Sequence, residues 1–453
     1  MREDTIAAIS TAYGEGGIGV IRISGEDTLD IVGKIFSHEL EPRKMTYGHI
    51  RDNVTGDLVD EVMVCYFKAP ASYTAEDVCE IQCHGSLISL KKILSLVISN
   101  GARLAEPGEF TKRAFMNGRL DLSQAEAVMD LIRAKTDRNF ETALDQLEGG
   151  FSSKIISIRQ KLVDVLVDLT VKIDYPDEDI EEMTYDKLIT SLYEIRKDVD
   201  KFVKTLDTGR IMREGLRISI IGKPNVGKSS LMNSLLKESR AIVTAIPGTT
   251  RDTIEEDLSL GGIPVILTDT AGIHETEDLV EKIGIEKSKE AFNRSDLVIF
   301  IADLSREMDT EDEEIAKVIG SRKAICLLNK SDLEHMLDTE YLKSLLPSAI
   351  FIEGSVTEDQ GIGELEDTIK DMVLGGDVKQ QESFVVTNVR HGALLREAEN
   401  SLKDAIEMAE NREALELLEI DVNNAYRALG LIIGEEVEED IINEVFSRFC
   451  LGK

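Results

Sequence analysis

Arg217-Ile-Ser-Ile-Ile-Gly-Lys-Pro-Asn-Val-Gly-Lys-Ser229 is a short, mostly apolar run that breaks into a glycine-bounded loop ending in Lys-Ser. The run predicts a buried strand, and Gly222 to Ser229 fits the pattern of a phosphate-binding loop when a strand precedes it and a helix follows. Glycines let backbone N–H groups face phosphate oxygens without a side chain in the way, and the N-terminus of the following helix adds partial positive charge. In this reading Asn225, Val226, Gly227, Lys228, Ser229 and Ser230 surround the phosphates. Lys228 neutralises β- and γ-oxygens, and the Ser229 hydroxyl ligates Mg²⁺.

Working outward, the apolar runs Val265 to Thr268, Leu297 to Ala302, Ala324 to Leu328 and Ala349 to Ile352 alternate with helical stretches. Continuous apolar strands separated by helices predict a mostly parallel sheet covered on both faces. Two of these runs end in polar motifs. Asp269-Thr-Ala-Gly272 offers a carboxylate for Mg²⁺ through water, and its residues Asp269, Thr270, Ala271 and Gly272 sit where a γ-phosphate is met. Asn329-Lys-Ser-Asp332 offers Asp332 as acceptor for the ring N–H and amino group of guanine, with Asn329 and Lys330 beside it. Adenine lacks that donor pair, and a site built on such bonds rejects the analogue without them by about 10⁴-fold. The motif therefore selects GTP over ATP.

Between the first two motifs lie Thr244, Ala245, Ile246, Pro247, Gly248, Thr249 and Thr250, a nucleotide-contacting stretch whose Thr250 supplies a second hydroxyl for Mg²⁺. Such a segment acts as a switch, ordered by triphosphate and released by hydrolysis. The residue after Gly272 is Ile273, so the water-positioning glutamine of Ras-like enzymes is absent from that place.

The remainder of the 453 residues has a different texture. Up to about Phe115, β-rich runs (Ile18 to Ile23, Val62 to Phe67, Val78 to Cys83) alternate with Gly turns and one helical stretch, Leu87 to Ile98, which predicts an α+β domain. From Leu122 to Arg213 apolar residues such as Leu162, Val165 and Leu169 recur at helical spacing, and the same periodicity returns after Gly376. Pro176 marks a turn between helices, and the acidic stretches Glu178 to Glu182 and Glu435 to Asp440 read as solvated helix faces. The fold class is multi-domain α/β. Residues 1–118 form an α+β domain, 119–213 and 376–453 the halves of a helical domain, and 214–375 a Ras-like P-loop domain inserted between them.

Composition narrows the functional classes. With 42% hydrophobic and 30% charged residues the chain is globular, and no apolar run reaches the ~18 residues of a membrane span. The N-terminus lacks the basic and apolar segments of a secretory signal, which predicts a cytoplasmic protein. Five scattered cysteines do not form a disulfide framework, and Cys79, Cys83 and His84 are too loosely spaced for zinc. A formal net charge of -34 repels phosphate backbones, so broad binding to nucleic acid is disfavoured and any RNA contact needs a local patch or a partner.

The segments Asp4-Thr-Ile6, Gly16-Gly-Ile-Gly-Val-Ile-Arg22, Tyr73-Thr-Ala-Glu-Asp-Val-Cys-Glu80, Pro107-Gly-Glu-Phe-Thr-Lys-Arg113, Leu120-Asp-Leu-Ser-Gln-Ala-Glu126 and Phe449-Cys-Leu-Gly-Lys453 resemble the MnmE (TrmE) family of bacterial tRNA modification GTPases over the whole chain. The resemblance implies an N-terminal domain that forms a homodimer and binds a tetrahydrofolate derivative (5-formyl- or methylene-tetrahydrofolate) through Arg22, Glu80, Arg119 and Lys453. Lysine also occurs in the family where Arg119 stands, and Cys450 is a candidate for chemistry beside the folate. It implies a K⁺-dependent GTPase with Asn225, Thr244, Ile246 and Thr249 around the cation and Glu281 ordering the attacking water. The loop at Ser355 reads Ser355-Val-Thr357 in place of the family's Ser-Ala-Lys or Ser-Ala-Arg, leaving backbone contacts to guanine. The implied reaction adds an aminomethyl or carboxymethylaminomethyl group to carbon 5 of the wobble uridine of certain tRNAs, together with an FAD-dependent MnmG-like partner in a heterotetramer or larger assembly. A regulatory GTPase of ribosome assembly is the competing reading. It predicts a basic RNA-binding module after the P-loop domain, whereas the segment after Gly376 is helical and acidic.

By residue type alone, Arg22, Glu80 and Arg119 are ordinary surface or salt-bridge residues and Cys450 a small core hydrophobe.

Overall fold

The computed structural model describes residues 4–12, 14–174, 185–238, 255–269, 292–374 and 385–453. The chain divides into two compact units, one of residues 1–132, 144–192 and 401–453, the other of residues 133–143 and 193–400.

The first unit is built on a six-stranded sheet of β1 (Ile6–Ile9), β2 (Gly16–Ser24), β3 (Met45–Arg51), β4 (Leu58–Phe67), β5 (Val78–Gly85) and β6 (Arg103–Leu104), in the order β3-β4-β5-β2-β1-β6. All neighbours are antiparallel except β1 and β6. Alternation decides the faces. In β5, Cys79, Ile81 and Cys83 point into the core with Ile21, Ile23, Ile31 and Ile93, while Glu80 and Gln82 point to the other side. Cys79 and Cys83 are thus core residues, and His84, on the opposite parity, is exposed and paired with Asp60 at 2.6 Å.

Helix Leu87–Ser99 covers that core with Leu90, Ile93 and Val97, and the Ser86 side chain caps it by accepting from Ser89 N–H, a contact worth about 1 kcal/mol. The expectation of one helix in this region is corrected: Thr28–Ile35 and Glu109–Met116 are helices as well. Each has eight residues, too few for a clear period, and the first contains Thr28, Ile31, Val32, Gly33 and Ile35, poor helix formers held by packing.

The helical part of this unit packs Gly150–Asp174 against Leu415–Ile433. Arg159, almost fully buried, crosses between them: it donates to the Tyr426 carbonyl, lies 4.1 Å from the Tyr426 ring centre and pairs with Glu435 at 2.6 Å. Glu435 is exposed, as expected of a solvated acidic stretch, but it lies outside a helix. It follows the C-cap Gly434 in the turn before helix Glu439–Ser447.

The second unit holds the other sheet, β7 (Leu216–Ile221), β8 (Glu255–Leu260), β9 (Ile263–Asp269), β10 (Leu297–Asp303), β11 (Ala324–Asn329) and β12 (Ile350–Glu353), in the order β12-β11-β10-β7-β9-β8. Five strands are parallel and β8 pairs antiparallel with β9 at the edge. Strands β10 and β11 are buried at every position, as strands covered on both faces must be. The register aligns Ile220 with Asp269, Ile221 with Phe300 and Asp303 with Asn329, so the carboxyl ends of β7, β9, β10 and β11 open on one edge. Loops at that edge are where doubly wound sheets take ligands.

Among the described residues, no helix is long and apolar enough to cross a membrane.

Candidate functional site

At the carboxyl edge of the second sheet, β7 runs into the loop Gly222 to Gly227 and then helix Lys228–Glu238. Asn225 has φ 64° and Gly227 φ 111°, so the loop turns through left-handed backbone. A Cβ on Gly227 would press into the Asn329 side chain, which explains glycine there. Lys228 Nζ donates to the carbonyls of Gly222 and Lys223, the latter at 2.8 Å, folding its ammonium over the loop. Ser229 and Ser230 are exposed in the first helical turn, with hydroxyls open to a ligand.

The Asn329-Lys-Ser-Asp332 motif is tied to this loop. Asn329 is buried, donates to the Val226 carbonyl at 2.7 Å and accepts from Val356 N–H at 3.0 Å. One side chain thereby joins the phosphate loop to the segment at Ser355. Ser355 is itself buried, its N–H donating to Gln360 at 3.1 Å. The Ser355-Val-Thr357 sequence is therefore held by backbone and by Asn329. Asp332 is exposed, and among the described residues no hydrogen bond or ion pair engages its carboxylate.

Two residues that sequence reasoning missed complete this region. Asp303, the last residue of β10, accepts from Lys330 Nζ at 2.6 Å and from the Ser305 backbone and hydroxyl at 2.9 and 2.7 Å. Lys330 sits at φ 66° and is fixed by this pairing. The signal was present, since a carboxylate ends β10 as one ends β9, but the partner is visible only in the register. Lys223, inside the loop, is buried and pairs with Asp309, which caps helix Thr310–Ile319, and with Glu311 and Asp312 at 3.5 and 3.7 Å.

Asp269 closes β9. Thr244, Ala245, Ile246, Pro247, Gly248, Thr249, Thr250, Thr270, Ala271, Gly272 and Glu281 lie outside the described residues.

In the first unit a cavity of about 380 Å³ opens beside β2 and β5, lined by Arg22, Glu80, Arg119, Arg43, Tyr73 and Phe67 among others. Arg22 and Glu80 face each other across the β2–β5 ladder and pair at 2.8 Å. The Tyr73 ring is approached by two cations, with the Arg22 and Arg119 guanidinium carbons each 5.0 Å from its centre. Arg119 also donates to the Tyr73 carbonyl at 2.8 Å.

The loop bearing Tyr73 is stapled from below. Glu76 accepts from Ser24 at 2.7 Å and from Arg113 at 3.2 Å, and Arg113 also reaches Asp4 at 2.8 Å and Glu109 at 3.1 Å. Three of the quoted sequence segments, far apart in the chain, thus meet in one ion network. Burial works against the Arg113 charge, but the carboxylates around it outweigh that and raise its pKa.

The last residues reach Arg22, one of the residues that line this cavity. Gly452, at φ 86°, passes so close to the Ile9 carbonyl that a Cβ would fall on it, and its own carbonyl accepts from Ser10 at 3.2 Å and Arg22 at 3.4 Å. Burial and the Arg22 charge hold the half-buried Lys453 ammonium below the ordinary lysine range, with Glu80 and Cys450 acting the other way. Cys450 is exposed. Cations, a carboxylate and the aromatic residue Tyr73 suit a flat, anionic organic ligand with N–H donors, and a tetrahydrofolate fits that description.

Comparison with known proteins agrees with this layout. The family described as the GTP-binding protein TrmE N-terminus matches residues 5–119, and the MnmE helical domain matches residues 122–450. The chain is 50% identical over 458 residues to the tRNA modification GTPase MnmE of Alkaliphilus oremlandii (strain OhILAs), covering 100% of this chain and 99% of that one. It is 49% identical over 458 residues to the protein of the same name from Clostridioides difficile (strain 630), with the same coverage. Among solved structures, the FeoB G-domain from Methanococcus jannaschii aligns at 24% identity over 34% of this chain and 96% of that one, with a TM-score of 0.25. With both family matches and near-half identity from end to end, this chain belongs to the MnmE family of tRNA modification GTPases.

Proposed function

We propose that this protein hydrolyses GTP in a K⁺-dependent manner and, as a cytoplasmic homodimer working with an FAD-dependent MnmG-like partner, modifies carbon 5 of the wobble uridine of certain tRNAs with a folate one-carbon unit. The observation that carries the reading is the Asn329 link, which ties a phosphate loop to a guanine-selecting motif whose Asp332 is open to a ligand.

Asp332 accepts the ring N–H and amino hydrogens of guanine, and Lys330, braced by Asp303, stands beside it. Lys228 and the N–H groups of Asn225 to Ser230 receive the phosphate oxygens, which fixes the γ-phosphoryl group for in-line attack. Glu281 replaces the missing glutamine by orienting water. Ser229 and Thr250 would hold Mg²⁺, and Asn225, Thr244, Ile246 and Thr249 would hold K⁺. When bound, these cations supply the positive charge that stabilises the phosphate oxygens. Arg22, Glu80, Arg119 and Lys453 would hold the tetrahydrofolate, which supplies the carbon unit, with Cys450 at the edge of that site.

The test is GTP hydrolysis by the purified chain in K⁺ and in Na⁺ at equal ionic strength, with Glu281→Ala alongside. The expected result is stimulation by K⁺ of about tenfold or more, lost in the variant. Equal rates in both salts, unchanged by the substitution, would turn the reading toward a nucleotide-binding switch.

A further inference from the structure

Three arginines, Arg22, Arg43 and Arg119, are among the residues that line the first unit's cavity, against one acidic residue, Glu80. Three positive charges against one negative leave an excess of two, in a chain whose formal net charge is -34. The excess belongs to two particular residues. Arg22 is neutralised by Glu80 at 2.8 Å. Among the described residues, the Arg119 guanidinium contacts neutral groups, the Tyr73 carbonyl and the Tyr73 ring. Among the described residues, no carboxylate pairs with Arg119 or with Arg43.

The backbone of Arg43 is unusual in its own right. It has φ 60°, a region an arginine rarely enters, and it is kept there by its N–H donating to the Tyr66 carbonyl at 2.7 Å and by the bridge between Pro42 and Tyr66. Non-glycine residues held in this way collect at ligand clamps. An arginine fork matches a carboxylate with two parallel hydrogen bonds, so two unpaired forks on one cavity match a ligand end that bears two carboxylates.

We infer that Arg43 and Arg119 receive the dicarboxylate end of the cavity's ligand, the terminal glutamyl group, and that Arg43 is a binding residue of this site. The inference rests on the folate reading of the cavity and adds which part of the ligand is selected.

The test is calorimetric titration of the full chain with two probes, 5-formyl-tetrahydrofolate and 5-formyl-tetrahydropteroate, which carries the same ring system without the glutamyl group. Wild type should bind the glutamyl compound about 10- to 100-fold more tightly, as expected for charge-assisted bonds to two carboxylates. Arg43→Gln should weaken that compound about tenfold and leave the pteroate within about twofold, with Arg43→Lys in between. No weakening, or equal weakening of both, overturns the inference. Wild type binding both probes equally overturns it too, while the folate reading stands. Wild type binding neither defeats the folate reading, and the inference falls with it.

Discussion

Asp303 is a carboxylate almost closed to water at the end of β10. Burial works against its ionised form, but the bonds from Lys330 and Ser305 outweigh that cost and hold its carboxyl below the ordinary 3.8. Its effect is to brace Lys330, which stands at φ 66° in the Asn329-Lys-Ser-Asp332 motif. Removing the charge while keeping the shape tests this directly. Asp303→Asn should weaken GDP binding about tenfold, or about 1.4 kcal/mol, in a fluorescent-nucleotide titration. Unchanged affinity would mean that Lys330 finds its position without Asp303. Neither residue announces the pairing in sequence, because they are 27 positions apart and become partners only through the β10–β11 register.

Among the elements, the C-terminal tail has the longest reach. Phe446 and Phe449 meet in a tilted arrangement at 5.2 Å between ring centres and pack with Leu122, Met129 and Phe115, which anchors the helix Glu439–Ser447 in the first unit. Gly108 and Gly452 then let backbone pass where a side chain would collide, at Phe446 and Ile9 respectively. Gly452→Ala would combine a strained φ with a clash against main chain and draw Lys453 away from Arg22 and Glu80. Folate affinity should fall by about tenfold or more, while GTP hydrolysis without folate stays near wild type, since the nucleotide site belongs to the other unit. Parallel losses in both assays would show that the tail does something other than complete the cavity. At this scale the buried strands were legible as apolar runs, but β8 was not. Glu255-Glu-Asp-Leu-Ser-Leu260 has too few apolar residues to read as a strand, and it becomes one by pairing with β9 at an edge that tolerates polar side chains.

For the whole molecule, charge sets the terms on which RNA is met. With 86 acidic against 52 basic side chains, few phosphates can be neutralised by the chain alone. Fluorescence anisotropy with tRNA and the isolated chain should give an affinity that changes by less than about tenfold between 50 and 200 mM salt, against about 10³ to 10⁵ for a protein making 6–10 phosphate contacts. A steep dependence would reveal a basic surface that the net charge conceals. What the sequence determined by itself was chemistry that neighbouring residues carry out together: the strand, loop and helix of Gly222 to Ser229, the motifs ending β9 and β11, and the apolar periods that separate sheet from helix. Backbone geometry and hydrophobic period are local, so they can be read along the chain. Tertiary structure decided what depends on distance in space. It set Arg22 against Glu80 across a ladder, joined Glu76, Arg113, Asp4 and Glu109, and brought Gly452 onto Ile9 from 443 positions away along the chain. Coulomb attraction and steric fit act between atoms that are close, and only the folded sheets made these atoms close.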